Sequence, residues 1–352
     1  MLNHASRIFD ILIILIEQNI ILLYQSNRVV FTDIDGTLVD INTGEYGKNA
    51  TKLIELLKER NIPLILASAK TRLEQNRIRE DLDLSDPYIV ENGGAVVIPK
   101  GYFSDSALRG IKYPLRVTKE LENDSAYTKD EKRRGPNNSG LGTSNHDSRH
   151  HPIEKTSEVI LVELGESADN IRKKLSYIRR KYDLNFKGVA DLSLEEICNL
   201  VSVSKEQARR MAKRNYGETI LQIQNEDFSR FIECVKAEGM QVIYGGRFFD
   251  VTIGTGKGLA VGLLKRLFNK RFHDNVTFFG IGDSPNDVPM LSLMDVPILV
   301  QRTNRSWLNY EEMIMKNETD GVGIATNRII RIKGIGPNGW QNAIHKIILE
   351  LN

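Results

Sequence analysis

The chain has 352 residues, of which 41% are hydrophobic and 27% charged, enough apolar surface for one large or two smaller globular domains; two suits the length better. Its net charge of +2, with no basic run interleaved with aromatics, sets nucleic-acid binding aside. Cys198 and Cys234 lack CxxC spacing and fall in helical or apolar segments, so they read as small buried hydrophobes of a reducing, cytoplasmic protein.

Residues 1–28 form an N-terminal extension whose apolar run is broken by Asp10, Glu17, Gln18 and Asn19 into pieces too short to span roughly 30 Å of hydrocarbon. No small-residue cleavage site follows, so the segment reads as an extra helix or an upstream start rather than a membrane anchor or signal peptide. From Val29 to Phe31 the pattern is a buried strand, followed by a helix around Lys48 to Arg60, the strand "PLILAS", a helix through "TRLEQNRIREDL", and "YIVENGGAVVI". This βαβα order predicts an α/β fold with a Rossmann-like parallel sheet covered by helices on both faces.

The pattern returns near the C-terminus. There "GKGLAVGLLKRLFNK" reads as a helix, "NVTFFGIGDS" as a strand and turn, "NDVPMLSLM" as a short helix and "VPILV" as a strand. "NGWQNAIHKIILEL" closes the chain as a helix with Trp340, Ile344, Ile347 and Ile348 on one face. Two chain ends building one sheet predict a core of residues 29–100 and 253–352, with an inserted α/β domain at 101–252. The insert has a strand "EVILVEL", an amphipathic helix carrying Ala168, Ile171, Leu175 and Ile178, and a helix opened by Ser204 with Gln207 three residues on, a capping box. Within it, residues at about 122–157 are polar and Gly/Ser/Asn-rich, which reads as a mobile loop. His146, His150 and His151 in that loop read as solvated side chains rather than zinc ligands.

The chemistry-bearing residues cluster at strand ends. "FTDIDGTLVD" puts Asp33 and Asp35 just past the first strand, and paired carboxylates there need a bound cation or a shared proton. "LASAKTR" puts Ser68 at the next strand end, "GTGKGLA" puts Lys257 at a helix start, and "GIGDSPNDVPML" puts Asp283, Asn286 and Asp287 past another strand. In a parallel sheet these ends open onto one crevice. Mg²⁺ prefers hard oxygen ligands, which Asp33, the backbone carbonyl of Asp35 and Asp283 supply, while Lys257 and Ser68 suit phosphoryl oxygens. Asp33 would attack phosphorus as a nucleophile, and Asp35, two residues on along the strand, would act as acid and then base.

"DIDGTL", Ser68, Lys257 and "GDSPND" resemble the four motifs of the haloacid dehalogenase superfamily, and the large insert resembles the α/β cap of its Cof-type subgroup. "LASAKTR", "YIVENGGAVVIPKGYF", "YGGRFFDV", "GIGDSPNDVPML" and "GIGPNGW" are further similar to a narrower family within it, the mannosyl-3-phosphoglycerate phosphatases. The resemblance covers about residues 29–103 and 153–352; the N-terminal extension and the polar loop depart from the pattern. It implies an Mg²⁺-dependent phosphatase whose cap closes over a sugar-glycerate phosphate, with Asp287 joining the metal set and Thr37 and Asn286 joining the substrate contacts. The alternatives are a phosphatase for glucosyl-3-phosphoglycerate or another sugar phosphate, a phosphomutase, and a non-catalytic binding protein on the same fold. Lys70, Arg72, Glu91, Asn92, Arg214 and Arg247 are candidates facing the cap. Arg247, flanked by glycine, is the first choice for a glycerate carboxylate, whereas Arg72 and Arg214 read as solvated helix-face residues and "ENGG" also reads as a plain hairpin turn.

Overall fold

The computed structural model describes residues 27–119, 158–245, 248–310, 312–313 and 329–349. Residues 1–26 of the extension, the loop at 122–157 with its three histidines, and Arg247 lie outside the described residues.

The expected parallel sheet is present. Its strands run in the order β13 (Ile330–Ile335), β12 (Val296–Gln301), β11 (Val276–Gly282), β1 (Asn27–Thr32) and β2 (Leu64–Leu66), and every neighbouring pair is parallel. β1 is an interior strand between β11 and β2, and alternation of its side chains feeds two cores. Val30 packs with Leu53 and Ile54 of α1 (Ala50–Glu59) and with Trp340, Ile344 and Ile347 of α10 (Pro337–Leu349) on one face. Val29 and Phe31 pack with Ala260, Leu264 and Phe268 of α8 (Lys257–Phe272) and with Met290 of α9 (Val288–Leu291) on the other. Burial on both faces is why these strands read as unbroken apolar runs. α2 (Arg72–Asp81) starts at a capping box in which Thr71 and Glu74 each accept the other's backbone N–H.

The stretch "YIVENGGAVVI" is a hairpin, not one more step of the parallel alternation. Its arms β3 (Tyr88–Val90) and β4 (Ala95–Pro99) are antiparallel, and Ala67 bridges Ile89 to join them to the main sheet. α3 (Asp105–Leu108) leads to β5 (Leu115–Lys119), and β6 (Glu158–Glu163) completes the order β3-β4-β6-β5. β6 is the "EVILVEL" strand that the sequence reading gave to the insert. It pairs with β4 from Ala95↔Glu163 to Pro99↔Val159 and buries Val159, Leu161 and Val162 in the cores of the main sheet.

The remaining insert has cores of its own. It comprises α4 (Ala168–Tyr182), β7 (Phe186–Gly188), α5 (Leu194–Val201), α6 (Lys205–Ala212), β8 (Glu218–Ile223), α7 (Asn225–Ala237), β9 (Gln241–Gly245) and β10 (Phe248–Thr252). The four strands form an antiparallel sheet in the order β7-β8-β10-β9. Ile171, Leu175 and Ile178 of α4 meet Phe231 and Val235 of α7 over Ile220 and Val251, while Ile197, Ala208 and Leu221 form a smaller cluster. We therefore propose that the cap runs from about residue 166 to 252 rather than from 101. Its two connections pair with each other where the Glu166 N–H donates to the Ile253 carbonyl at 3.2 Å.

Trp340 is 0% exposed, and its indole N–H donates to Thr32 Oγ1 at 3.1 Å, one residue before Asp33. Trp340→Ala should therefore cost about 3–5 kcal/mol, measured by urea unfolding with the metal absent.

Candidate active site

β1 and β11 are in parallel register, Thr32 opposite Ile281, so their C-terminal ends deliver Asp33 and Asp283 to the same edge. The Asp33 N–H still donates to the Ile281 carbonyl at 2.9 Å, which ties the first acid to the neighbouring strand. Beyond it the chain turns sharply. Gly36 has φ +80, and a β-carbon there would lie 2.9 Å from Asp283 Oδ2, so this position needs glycine for both conformation and space. Thr37 is fully buried and donates to Asp283 Oδ1 at 3.4 Å.

A 3₁₀ turn, Pro285–Asp287, brings the third acid back. Asp287 Oδ2 accepts the N–H of Asp283 at 3.1 Å and both the N–H and the O–H of Ser284 at 3.0 Å. Its other oxygen lies 2.6 Å from Lys257 Nζ, and the same ammonium lies 2.6 Å from Asp33 Oδ1. Carboxylate oxygens of Asp33, Asp283 and Asp287 all fall within 4.8 Å of one another.

Three carboxylates against one ammonium leave this buried volume electronegative, and the titration behaviour follows. Burial, then the Asp287 charge, pushes Asp33 well above the usual carboxylate range. The same two causes raise Asp283 to about 7. Burial alone would lower the pKa of Lys257, but Asp287 and Asp33 reverse this and hold its ammonium firmly charged. The cluster fits Mg²⁺: hard oxygen donors, close together, with negative charge that a dication would offset.

The other sequence candidates are placed as follows. Asp35 lies past the end of β1 in the turn, not along the strand, so its carboxylate stands outside the three-acid cluster. That side chain is 40% exposed and pairs with Lys70 Nζ at 3.0 Å, leaving its backbone carbonyl as the ligand atom the sequence reading assigned. Ser68 is 1% exposed after β2, and its Oγ accepts the Lys70 N–H at 3.2 Å. Asn286 donates its amide N–H to Asn92 Oδ1 at 3.2 Å and accepts the Ser284 O–H.

Two arginines read as solvated are buried. Arg72 donates to the Lys119 carbonyl at 2.8 Å. Arg214, in the cap after α6, donates to the Ala69 carbonyl at 3.0 Å and sits 3.3 Å from Asp250 and 3.8 Å from Glu91. Asp250, which the sequence reading does not single out, lies on β10 inside the "YGGRFFDV" motif, where only Arg247 is taken as a candidate.

A family profile described as haloacid dehalogenase-like hydrolase matches residues 30–326, and the chain belongs to this family. It is 31% identical over 326 residues, 92% of this chain and 98% of the relative, to the glucosyl-3-phosphoglycerate/mannosyl-3-phosphoglycerate phosphatase of Methanococcoides burtonii. It is 29% identical over 274 residues, 78% of this chain and 90% of the relative, to the mannosyl-3-phosphoglycerate phosphatase of Pyrococcus furiosus. Its fold is similar to that of a solved haloacid dehalogenase subclass IIB sugar phosphatase, with a TM-score of 0.52 at 13% identity over 92% of this chain and 100% of the other.

Lys257→Met should cost about 3–5 kcal/mol in metal-free protein, because three buried carboxylates lose their counter-charge. Thermal denaturation should show Mg²⁺ recovering more stability in this variant than in the wild type.

Proposed function

We propose that the chain is an Mg²⁺-dependent phosphatase that hydrolyses mannosyl-3-phosphoglycerate to mannosylglycerate and phosphate through an aspartyl-phosphate. The observation that carries the reading is Asp33 held 2.6 Å from Lys257 inside a cluster with Asp283 and Asp287. The names of the relatives supply the substrate class.

In this reading an oxygen of Asp33 attacks phosphorus, the bond from phosphorus to the glycerate oxygen breaks, and Asp35 gives that oxygen a proton. Asp35 then takes a proton from a water that attacks the phosphorus of the aspartyl-phosphate, which releases phosphate and restores Asp33. Lys257 fixes the nucleophile's orientation, and Ser68 Oγ stands ready to donate to a phosphoryl oxygen. Asp33, Asp283, Asp287 and the Asp35 carbonyl would hold Mg²⁺, which offsets the charge of the transferring oxygens when bound. Thr37, Lys70 and Asn286 border the same edge as substrate contacts.

Glucosyl-3-phosphoglycerate is the second substrate to consider, because the Methanococcoides burtonii relative carries both names and the two sugars differ by one inverted hydroxyl. Two features fit a cytoplasmic enzyme: Cys198 and Cys234 are free thiols, and no helix among the described residues is long and apolar enough to cross a membrane.

The test is phosphate release from mannosyl-3-phosphoglycerate, glucosyl-3-phosphoglycerate, mannose 6-phosphate and 3-phosphoglycerate, with and without EDTA. Preference for the glycosyl-phosphoglycerates, abolished by EDTA, is expected. Equal turnover of all four would remove the substrate assignment, and no release from any would remove the phosphatase. Asp33→Asn should lower kcat by roughly 10⁴-fold or more with the fold intact, and near-normal turnover would rule out Asp33 as nucleophile. Asp283→Ala should raise the Mg²⁺ concentration needed for half-maximal rate.

A further inference from the structure

We infer that Asn92 and Asp250 are positioning residues for this reaction. Their side-chain hydrogen bond seats the cap on the core and, through Asn286, sets the turn that carries Asp283 and Asp287. The part of the inference read by turnover rests on the phosphatase reading above.

The first observation is conformational. Glu91 and Asn92 follow β3 with φ +50 and +55, two successive non-glycine residues in the left-handed region, and both are buried. Such a conformation persists only where the surroundings hold it, and it concentrates at functional sites. Here the core and the cap hold it together. The Asn92 N–H donates to the Ser68 carbonyl at 2.9 Å and the Glu91 N–H to the Lys70 carbonyl at 3.0 Å. From the cap, the N–H groups of Asn215 and Tyr216 each donate to the Glu91 carboxylate at 2.9 Å.

The second observation is the use made of the Asn92 amide. Its Nδ2 donates to Asp250 Oδ2 in the cap at 2.7 Å, and its Oδ1 accepts from Asn286 Nδ2 at 3.2 Å. One side chain therefore needs a donor toward the cap and an acceptor toward the Pro285–Asp287 turn. An amide supplies both and neither a carboxylate nor an aliphatic group does. Asp250 is fixed in turn, accepting the Thr219 O–H and facing Arg214 at 3.3 Å. Arg214 reaches back to the Ala69 carbonyl at 3.0 Å, and the Thr71 O–H donates to the Arg210 carbonyl at 3.0 Å. The ring from Ser68 through Asn92, Asp250 and Arg214 to Ala69 thus crosses the junction twice. Through Asn286 the ring branches toward the acids: the next residue, Asp287, grips Lys257 and the backbone of Asp283.

A seated cap consequently constrains the acidic turn, and loss of the Asn92 to Asp250 bond frees both. Outer contacts of this kind, which orient ligand-bearing segments, commonly change metal affinity by about 10- to 100-fold when removed.

The test uses the full chain with N92D, D250N and the N92D/D250N double variant. N92D sets two carboxylates against each other. The double variant exchanges donor and acceptor, so a carboxylate at position 92 can accept from the new amide and from Asn286, with total charge unchanged. Mg²⁺ binding is measured by calorimetry without substrate, hydrogen exchange at residues 164–167 and 253–256 reports cap seating, and kcat and KM are measured with mannosyl-3-phosphoglycerate.

N92D is expected to weaken Mg²⁺ binding by about tenfold or more, speed exchange in both connections and lower kcat more than it raises KM. The double variant should recover Mg²⁺ affinity to within a few-fold of wild type. Wild-type Mg²⁺ binding and exchange in N92D would overturn the inference. If N92D does not fold, N92G, which keeps the left-handed backbone without the amide, decides by the same criteria. Absence of phosphate release from the wild type would count against the phosphatase reading alone, since calorimetry and exchange still judge the pair.

Discussion

The interaction on which the site depends is the contact of one ammonium with two carboxylates. Lys257 Nζ lies 2.6 Å from both Asp33 and Asp287, and it is 2% exposed. Two carboxylates within 4.8 Å repel by on the order of 3 kcal/mol at the effective dielectric of a protein site, and here three share the volume. The fold tolerates this because parallel strands present the same end to the same side. β1 and β11 are bound in register, so the acids cannot drift apart without breaking the central ladder. The cost is written into the raised pKa values of Asp33 and Asp283, and it is a charge imbalance that a bound dication would offset.

The placement of Lys257 has a cause further up the chain. Gly93 has φ +95, and a β-carbon on it would lie 2.3 Å from the Gly256 carbonyl, one residue before Lys257. The β3–β4 turn therefore presses against the start of α8, and a side chain there would displace the lysine. "ENGG" is thus a hairpin turn, as its composition suggests, and also the piece that sets the lysine, receives the cap and touches the acidic turn through Asn92. Left-handed Glu91 and Asn92 make sense as the geometric price of meeting three segments at once.

What was legible in the sequence follows from the range of the interactions involved. Asp33, Asp283 and Asp287 are legible as a group from sequence because they follow two apolar runs that pair as parallel strands, which fixes the side they face; Lys257 is legible only as the start of a helix. The buried faces of α4 and α10 and the capping box at Ser204 were equally plain, being properties of single helices. The sequence reads β6 with the insert because an apolar strand carries no record of its partner; in the structure it pairs with β4, which lies far earlier in the chain. Arg72 and Arg214 were read as solvated because charged residues usually are. Their burial depends on Lys119, Asp250 and Glu91, which lie far from them in the chain. Counting along the strand places Asp35 beside Asp33, but β1 ends at Thr32, and from the turn beyond it the Asp35 carboxylate pairs with Lys70 instead.

The division of labour between core and cap can be argued from which charges are already committed. The core cluster offers carboxylates, one ammonium and hydroxyls, a set suited to the phosphoryl group of the proposed reaction. Glu91, Arg214 and Asp250, the charged residues at the junction, are engaged with one another and with backbone groups. A substrate that displaced Arg214 would leave two buried carboxylates without their counter-charge. Lys70 differs: it is 23% exposed, paired with a more exposed Asp35, and adjacent to Ser68. In the proposed reaction, an anionic group next to the phosphate of a bound substrate could share Lys70 at little cost, so among the described residues a glycerate carboxylate would fall to this lysine before the buried Arg214. In that reading the buried set would hold the cap in register while the half-exposed set meets the ligand.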